Sequence, residues 1–301
     1  MAGARQGRIR NPYSKILVIL VISTVAYSIG AVLAFNSMTN LPLQDGVFMV
    51  AAGFSLGYML LSRLFRLDTQ PRHFNLKNMF GGASLALSMI MTFAAFKLFT
   101  LASVYPVVAA AVVVFFTIDY ARFGKKLSRA EALALSAGVL MVFIGTFFAE
   151  SHGFAFNMNA LPYVIGITVF GGTGFYFVMY NIERRNAGAR SASIPLALAA
   201  VSGAGLIIFG AGSPSAIFLA IGIVAGFFTA IAMMLEFVAM EREESRSAKG
   251  NLIKRNFINN FTYLDVVMVL AFSVLIKSYT VQEVAGGLTI VLGVIIIGFV
   301  R

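Results

Sequence analysis

The sequence contains no cysteine and two histidines, His73 and His152, among its 301 residues. Without cysteine the chain can form neither a disulfide framework nor a thiolate metal site, and two histidines in separate polar segments exclude a multi-histidine metal centre. Charged residues are scarce as well, at 12% against roughly 25% in soluble proteins. Hydrophobic residues make up 59% of the chain, and the mean hydropathy is +0.88. Too little polar surface remains to cover a water-soluble fold of this size, so we predict a polytopic membrane protein.

Long apolar runs fill most of the chain. A bilayer core about 30 Å thick needs about 20 apolar residues per helix. Ten stretches meet this requirement, at 16–35, 46–65, 79–98, 100–119, 131–149, 159–180, 191–210, 215–238, 257–276 and 282–300. The boundary at Phe99-Thr100-Leu101 requires a very tight turn. The basic N-terminus followed by an apolar run resembles a signal peptide, but we interpret it as a retained first helix. The fold class predicted is an all-α membrane protein with ten transmembrane helices.

Basic residues mark one face of this predicted bundle. Of the 23 lysines and arginines, 21 lie in the N-terminal tail, in alternate loops and at the C-terminus. They are Arg5, Arg8, Arg10, Lys15, Arg63, Arg66, Arg72, Lys77, Arg122, Lys125, Lys126, Arg129, Arg184, Arg185, Arg190, Arg242, Arg246, Lys249, Lys254, Arg255 and Arg301. With ten helices all these segments face the same side, which the positive-inside rule predicts to be cytoplasmic. We therefore expect a multi-pass cell (inner or plasma) membrane protein with both termini cytoplasmic. The net charge of +11 is then a topology signal that attracts anionic headgroups, and not a sign of nucleic-acid binding.

Two segments carry the same motif, which predicts an internal duplication. Ser128-Arg129-Ala130-Glu131 and Thr280-Val281-Gln282-Glu283 are both capping boxes, in which a hydroxyl and a carboxylate satisfy the free amides of a first helical turn. Each is followed by two glycines seven residues apart, Gly138 with Gly145 and Gly286 with Gly293, so that each pair lies on one helix face and lets a neighbour approach closely. A unit of five helices is odd, so the two halves must run in opposite directions. This predicts an inverted repeat.

With these residues the chain resembles the drug/metabolite transporter superfamily, in particular its EamA-type members. The resemblance rests on Tyr105-Pro106-Val107, the basic loop, the Ser128 to Glu131 box and the glycine-bearing helix, with a second match from Thr280 to Gly293. It implies two five-helix repeats, with a basic tail at 1–15, the first repeat at 16–150, an outer connecting loop at 151–158 and the second repeat at 159–301. It also implies a central cavity lined by the first, third, fourth, sixth, eighth and ninth spans, with the fifth and tenth more peripheral. Asp265 stands where the family's ninth helix carries proline, which is a departure.

Ionisable residues inside the spans are candidate functional groups, because charge in hydrocarbon is costly. Asp265 lies about nine residues into its span, or about 13 Å from the inner face, and we interpret it as a substrate contact or proton switch, against a structural carboxyl. Glu236 lies near the inner end of its span, where a gate and an interfacial carboxylate remain open alternatives. Lys97 should lie near the outer surface as a snorkelling residue or a ligand for an anionic group, and the inverted topology excludes its pairing with Glu236.

Amide and aromatic side chains complete the predicted site. Asn260 and Tyr263 share a helix face close to Asp265, which suggests a cavity wall. Tyr27 and Tyr176 lie in equivalent spans of the two repeats, where they could stack on an aromatic substrate or simply pack. A further candidate substrate contact is Tyr105, and Pro106 can kink its helix near the outer mouth as a gate element.

These features favour a secondary transporter that moves a small organic metabolite by alternating access of two inverted halves. An acid, amides and tyrosines suit an amino-acid-like, zwitterionic, cationic or aromatic solute, with coupling to protons or to solute exchange left open. The alternatives are a flippase for a lipid-linked or phosphorylated substrate and a membrane-embedded enzyme, which would need clustered metal ligands. The expected partners are the solute and the anionic lipid surface, as a monomer or homodimer, without nucleic acid, cofactor or metal.

Overall fold

The regular structure of the described residues is entirely helical. The computed structural model describes residues 12–65, 76–101, 104, 107, 108, 111, 114, 117, 118, 121, 128–149, 159, 161–180, 187–246, 265, 267–269, 271, 272 and 280–298. Eight helices have defined bounds: α1 (Pro12–Asn40), α2 (Leu43–Leu64), α3 (Leu76–Phe96), α4 (Arg129–Ala149), α5 (Leu161–Tyr180), α6 (Ala187–Phe209), α7 (Ala216–Arg246) and α8 (Val281–Gly298). Helical positions also occur between 101 and 121 and between 265 and 272.

Apolar stretches long enough to cross a bilayer occur in five of these helices, within the part of the chain that the structure describes. They are Leu17–Asn40, Leu43–Leu64, Leu76–Phe96, Ala192–Phe209 and Ala216–Glu236. Shorter apolar stretches lie in α5 and α8. The helices and their apolarity fit a multi-pass membrane protein, as predicted. The boundary expected at residues 99–101 is a short non-helical segment at 97–100, which puts Lys97 outside α3.

Tight connections define one end of the bundle, which we call the hairpin end. Two residues join α1 to α2, and residues 210–215 join α6 to α7. The amide of Gly212 donates a hydrogen bond to Asp45 at 3.0 Å, so both connections lie at this end. Lys97 donates to the carbonyl of Leu41, which brings the C-terminal end of α3 there too. We call the opposite end, where α1, α3 and α6 begin and α2 and α7 end, the basic end.

Helices in different halves of the sequence make most of the contacts. Extensive interfaces join α1 and α2 to α7, α5 to α3, and α4 to α8, while α6 packs against both α2 and α3. Adjacent helices along the chain, such as α1 with α2 and α5 with α6, touch at few points. The described helices are therefore held together mainly across the midpoint of the chain.

Glycines make these crossings close. A Cβ on Gly145 would lie 2.7 Å from the carbonyl oxygen of Gly286, and one on Gly293 would lie 2.6 Å from that of Gly138. The earlier glycine of α4 meets the later glycine of α8, and the later one meets the earlier. The two helices are therefore antiparallel, and their backbones touch through the predicted glycine faces. Both capping boxes are present as well, with the Ser128 and Thr280 amides donating to the Glu131 and Glu283 carboxylates.

Alanine substitution at the α2–α7 crossing tests this packing. A Cβ on Gly53 would overlap the carbonyl of Ile223 in α7, whereas one on Gly203 in α6 would meet nothing within 4 Å. Gly53→Ala is expected to destabilise the protein by about 1–3 kcal/mol, because the backbones must separate. Gly203→Ala should be neutral or stabilise it by up to about 1 kcal/mol, since alanine favours the helix. Thermal unfolding in detergent measures both, and equal stability of the two variants would contradict the close crossing.

Candidate functional site

Polar side chains from three helical segments meet inside the apolar bundle. Ser23 and Thr24 come from α1, Glu236 from α7, and Asp265 from the helical positions near 265–272. Ser23, Thr24 and Asp265 are 1%, 6% and 3% exposed, respectively, and Glu236 is partly buried. We refer to these four residues as the acidic cluster.

Contacts within the acidic cluster join its members directly. The carboxyl groups of Glu236 and Asp265 lie within hydrogen-bonding reach of each other, and the Thr24 hydroxyl lies beside Asp265. Ser23 donates to the carbonyl of Ala232 at 2.9 Å and points towards Oε1 of Glu236 at 3.4 Å. Since Ser23 has a single proton, which the backbone carbonyl already engages, Glu236 receives little from it.

Within the described part of the chain, few hydrogen-bond donors are recorded beside the two carboxyl groups. The Oδ1 atom of Asp265 is buried and has no hydrogen-bond partner. The groups that act on the two carboxyls are the hydroxyls of Ser23 and Thr24 and the carboxyls themselves, and no basic side chain of the described residues is among them. A buried polar atom without a partner is unfavourable by about 1–3 kcal/mol. Asp265 Oδ1 can therefore accept a further hydrogen bond, from a neutral donor or from a positively charged one.

The register between α1 and α7 places Glu236 beside Ser23. Ser37 donates to the carbonyl of Phe218 at 3.1 Å, and Ser23 donates to that of Ala232. The two contacts are separated by 14 residues in α1 and by 14 residues in α7, and the residue numbers rise in one helix as they fall in the other. The helices are therefore antiparallel and keep the same register between these points. Between them, Gly30 in α1 meets Thr229 in α7, which allows the close approach.

The position of Glu236 differs from the one expected at the end of a helix. The four residues that follow Glu236, Phe237 to Met240, are apolar in the sequence, and α7 continues for ten residues beyond Glu236 to Arg246. Ser23, its neighbour, is six residues past Leu17, the first described residue of the apolar part of α1, or about 9 Å along the helix. Contact with Glu236 puts Asp265 at the same level. The cluster thus lies among the apolar parts of the described helices, towards the basic end.

Two tyrosines that the sequence singled out have different surroundings. Tyr176 is 4% exposed in the main apolar core, with its ring edge-on to Phe177 at a centroid distance of 5.6 Å. This burial favours the packing interpretation for Tyr176. Tyr27 is partly buried and lies one helical turn from Ser23 and Thr24, on the same face of α1. Of the two tyrosines, Tyr27 is therefore the one that lies next to the acidic cluster.

The remaining predicted site residues are distributed as follows. Lys97 is exposed at the hairpin end, where it donates to Leu41. Leu41, which contacts Lys97, is 18 residues after Ser23, which contacts Glu236. This corresponds to about 27 Å along α1 and agrees with the exclusion of a Lys97–Glu236 pair. Four predicted residues lie outside the described ones, namely Tyr105, Pro106, Asn260 and Tyr263.

Sequence reasoning missed Ser23, Thr24 and Asp45. Hydroxyl residues inside apolar helices commonly bond to their own backbone, as Ser28 does to Thr24, so Ser23-Thr24 gave little signal beyond adjacency. Asp45 lies just before the predicted span 46–65, but it is 4% exposed in the first turn of α2, where it accepts a hydrogen bond from Gly212. In the described part of the chain no group of three or more histidine, aspartate or glutamate side chains could hold a metal ion.

Comparisons with known proteins support the fold without indicating an activity. No protein-family profile matches the sequence, and no curated protein is significantly similar to it. A solved structure, described as "Crystal structure of protein", superposes with a TM-score of 0.61 over 94% of this chain and 96% of its own, at 19% identity. The similarity extends over nearly the whole of both chains, so the arrangement of helices is one that an experimentally determined protein also adopts.

Removal of the Asp45 carboxylate tests how the hairpin end is fastened. Asp45→Ala deprives the Gly212 amide of its acceptor, whereas Asp45→Asn keeps an oxygen in place. Loss of a hydrogen bond to a charged group is worth about 1.5–3 kcal/mol. We therefore expect hydrogen–deuterium exchange of the 210–215 segment to quicken roughly 10- to 100-fold in Asp45→Ala and much less in Asp45→Asn. Unchanged exchange in the alanine variant would contradict the fastening role.

Proposed function

We propose that the chain is a secondary transporter that moves a small organic solute across the membrane by alternating access. The observation that carries this proposal is the exchange relation in the helix packing. The first four helices correspond in order to the last four, so that α1, α2, α3 and α4 are equivalent to α5, α6, α7 and α8. Under this exchange the α1–α7 interface becomes α5–α3, and the α2–α7 interface becomes α6–α3. The α2–α6 and α4–α8 interfaces each join two equivalent helices and are unchanged. Two structurally equivalent units of opposite orientation give a carrier two related states, each open to one side.

The direction of α4 and α8 supports the inverted duplication. Both begin with the same capping box and carry the same glycine spacing, yet they cross antiparallel. Equivalent helices that run in opposite directions are what an inverted repeat requires. We extend this to ten transmembrane helices in two repeats, at 16–150 and 159–301, with the basic end cytoplasmic and facing anionic lipid. The combination of motif and packing favours an EamA-type member of the drug/metabolite transporter superfamily.

The packing also favours particular moving units. Helices α1 and α2 both lie against α7, and α5 and α6 both lie against α3, while the contact between these two groups is chiefly that of α2 with α6. We call the first group body A and the second body B. Each body combines helices of both repeats, so the units that rock against one another are these interleaved bodies and not the repeats themselves. The hydrogen bond from Lys97 to the carbonyl of Leu41 links the two bodies at the hairpin end.

Uptake into proteoliposomes tests the transport proposal. The purified chain is reconstituted and offered amino acids, amines, aromatic acids and neutral aromatic solutes, with and without a pH gradient. At least one solute is expected to equilibrate faster than in protein-free vesicles, saturably and with competition by its analogues. Reconstituted protein that moves no solute of these classes, in either gradient, contradicts the proposal.

A cross-link between α1 and α7 tests whether the moving units are bodies A and B or the two sequence repeats. The Cβ of Ser37 lies 3.8 Å from the Cβ position of Gly222, which is within the range of disulfides, and the chain has no other cysteine. Oxidised Ser37→Cys/Gly222→Cys should transport at nearly the rate of its reduced form, because both helices belong to body A. Transport that is lost on oxidation and restored by reduction would show instead that the repeats separate along this interface.

A further inference from the structure

The acidic cluster has the composition of a site for one positive charge, and this inference rests on the proposed transport function. We propose that Glu236 and Asp265 together bind either one proton or the ammonium group of an amine substrate, so that each displaces the other. The substrate class is then a primary amine with an apolar or aromatic body, and the exchange of amine for proton takes place at the carboxyl pair.

The hydrogen-bonding chemistry of the pair requires a cation. Two ionised carboxylates can only accept hydrogen bonds, so the approach of Glu236 to Asp265 is stable when a proton is held between them. Two carboxyl groups that share an apolar site favour this single-proton form, because the second negative charge is opposed by the first. A proton bound in this way leaves one net negative charge, which an incoming cation can use.

Unsatisfied acceptors in the cluster match an ammonium group. An ammonium offers three N–H donors, and the cluster contains a buried Asp265 Oδ1 without a partner and a Glu236 whose serine donor is engaged by Ala232. When the ammonium binds, the shared proton leaves, and the charge of the site after exchange is the same as before. Nothing is oxidised or reduced, and no bond other than that to the proton is broken.

The surroundings favour an amine over a phosphate or carboxylate. Among the described side chains near the level of the pair, the titratable neighbours are the phenols Tyr27 of α1 and Tyr58 of α2, of which Tyr58 packs beside Met234. Lys77 and Arg63 lie at the basic ends of α3 and α2. Tyr27, one turn from Thr24, offers an aromatic face of the kind that attracts cations. An anionic group would meet two acids and no opposing charge of the described residues at this level.

Proton release on ligand binding tests the proposal without any need for transport. The purified protein in weakly buffered detergent near neutral pH is titrated with benzylamine, which is an ammonium ion there, while a pH indicator records released protons. Benzyl alcohol is the uncharged isostere, and benzyltrimethylammonium is a cation without N–H donors. We expect benzylamine to bind with release of about one proton per ligand, the quaternary cation to bind more weakly, and the alcohol to release none.

Amide variants assign the effect to the pair. Glu236→Gln and Asp265→Asn should each bind benzylamine roughly 10- to 100-fold more weakly, the loss expected for a charge-assisted hydrogen bond, and should release no proton. The double variant should lose less affinity than the two single losses added together, because the two groups act as a unit. Glu131→Gln is the matched control, since glutamine keeps the exposed capping box. Where Asp265→Asn fails to fold, Thr24→Val provides the second probe and should change the affinity several-fold with proton release retained.

The outcomes separate this proposal from the transport function. Benzylamine that does not bind the parent protein, that binds without releasing a proton, or that binds the amide variants equally well overturns the carboxyl-pair site. Solute uptake by Glu236→Gln and Asp265→Asn at the parent rate likewise overturns the site while leaving transport intact. Proton-releasing binding that needs both acids, in a protein that moves no solute, supports the site and overturns the transport function.

Discussion

Close backbone contact between helices is the constraint on which the rest of the structure depends. Lipid tails are as apolar as leucine, so helices in a bilayer gain little from hiding apolar side chains from one another and associate through fitted packing instead. Here the fit is supplied by glycines at which a side chain would meet a neighbouring backbone, as at Gly53, Gly82 and Gly145. These contacts join helices from different halves of the chain. They hold the bundle together and also determine which helices can move as one body.

The acidic cluster follows from this packing. Two carboxyl-bearing segments and α1 can meet because Gly30 brings α1 close to α7, and the antiparallel register then sets Ser23 opposite Ala232 and Glu236. Such a group of acids in an apolar layer is costly unless a proton or another cation is present. The same feature that is unfavourable for stability gives the site an affinity for positive charge. Ser23, Thr24 and Glu236 belong to body A, nearer its basic end, so rocking of the bodies would change the access of the cluster to the two sides.

Local chemistry made some of these features predictable from the sequence. The capping boxes at Ser128 and Thr280 and the glycine faces of α4 and α8 depend on a few neighbouring residues, and the structure confirms both. The relation of Glu236 to Asp265 was not predictable, because it depends on the register of α7 against α1 and on how the segment that carries Asp265 packs against both helices. Ser23 and Thr24 gave no distinctive signal, since hydroxyls in helices usually bond to their own backbone. Lys97 was expected near the outer surface of the membrane, and in the structure it is exposed just beyond the end of α3.

The central claim, that two interleaved bodies open alternately at opposite ends, is most directly tested by paired distance measurements on spin labels in the cysteine-free chain. One pair, at Phe209 and Ile217, joins body B to body A at the hairpin end, and another, at Leu64 and Leu76, joins the two bodies at the basic end. All four side chains are strongly exposed. When transported solute or a change of pH shifts the population, one distance should lengthen while the other shortens. Distances that change in the same direction, or that stay fixed in a protein that is transporting, would contradict the account.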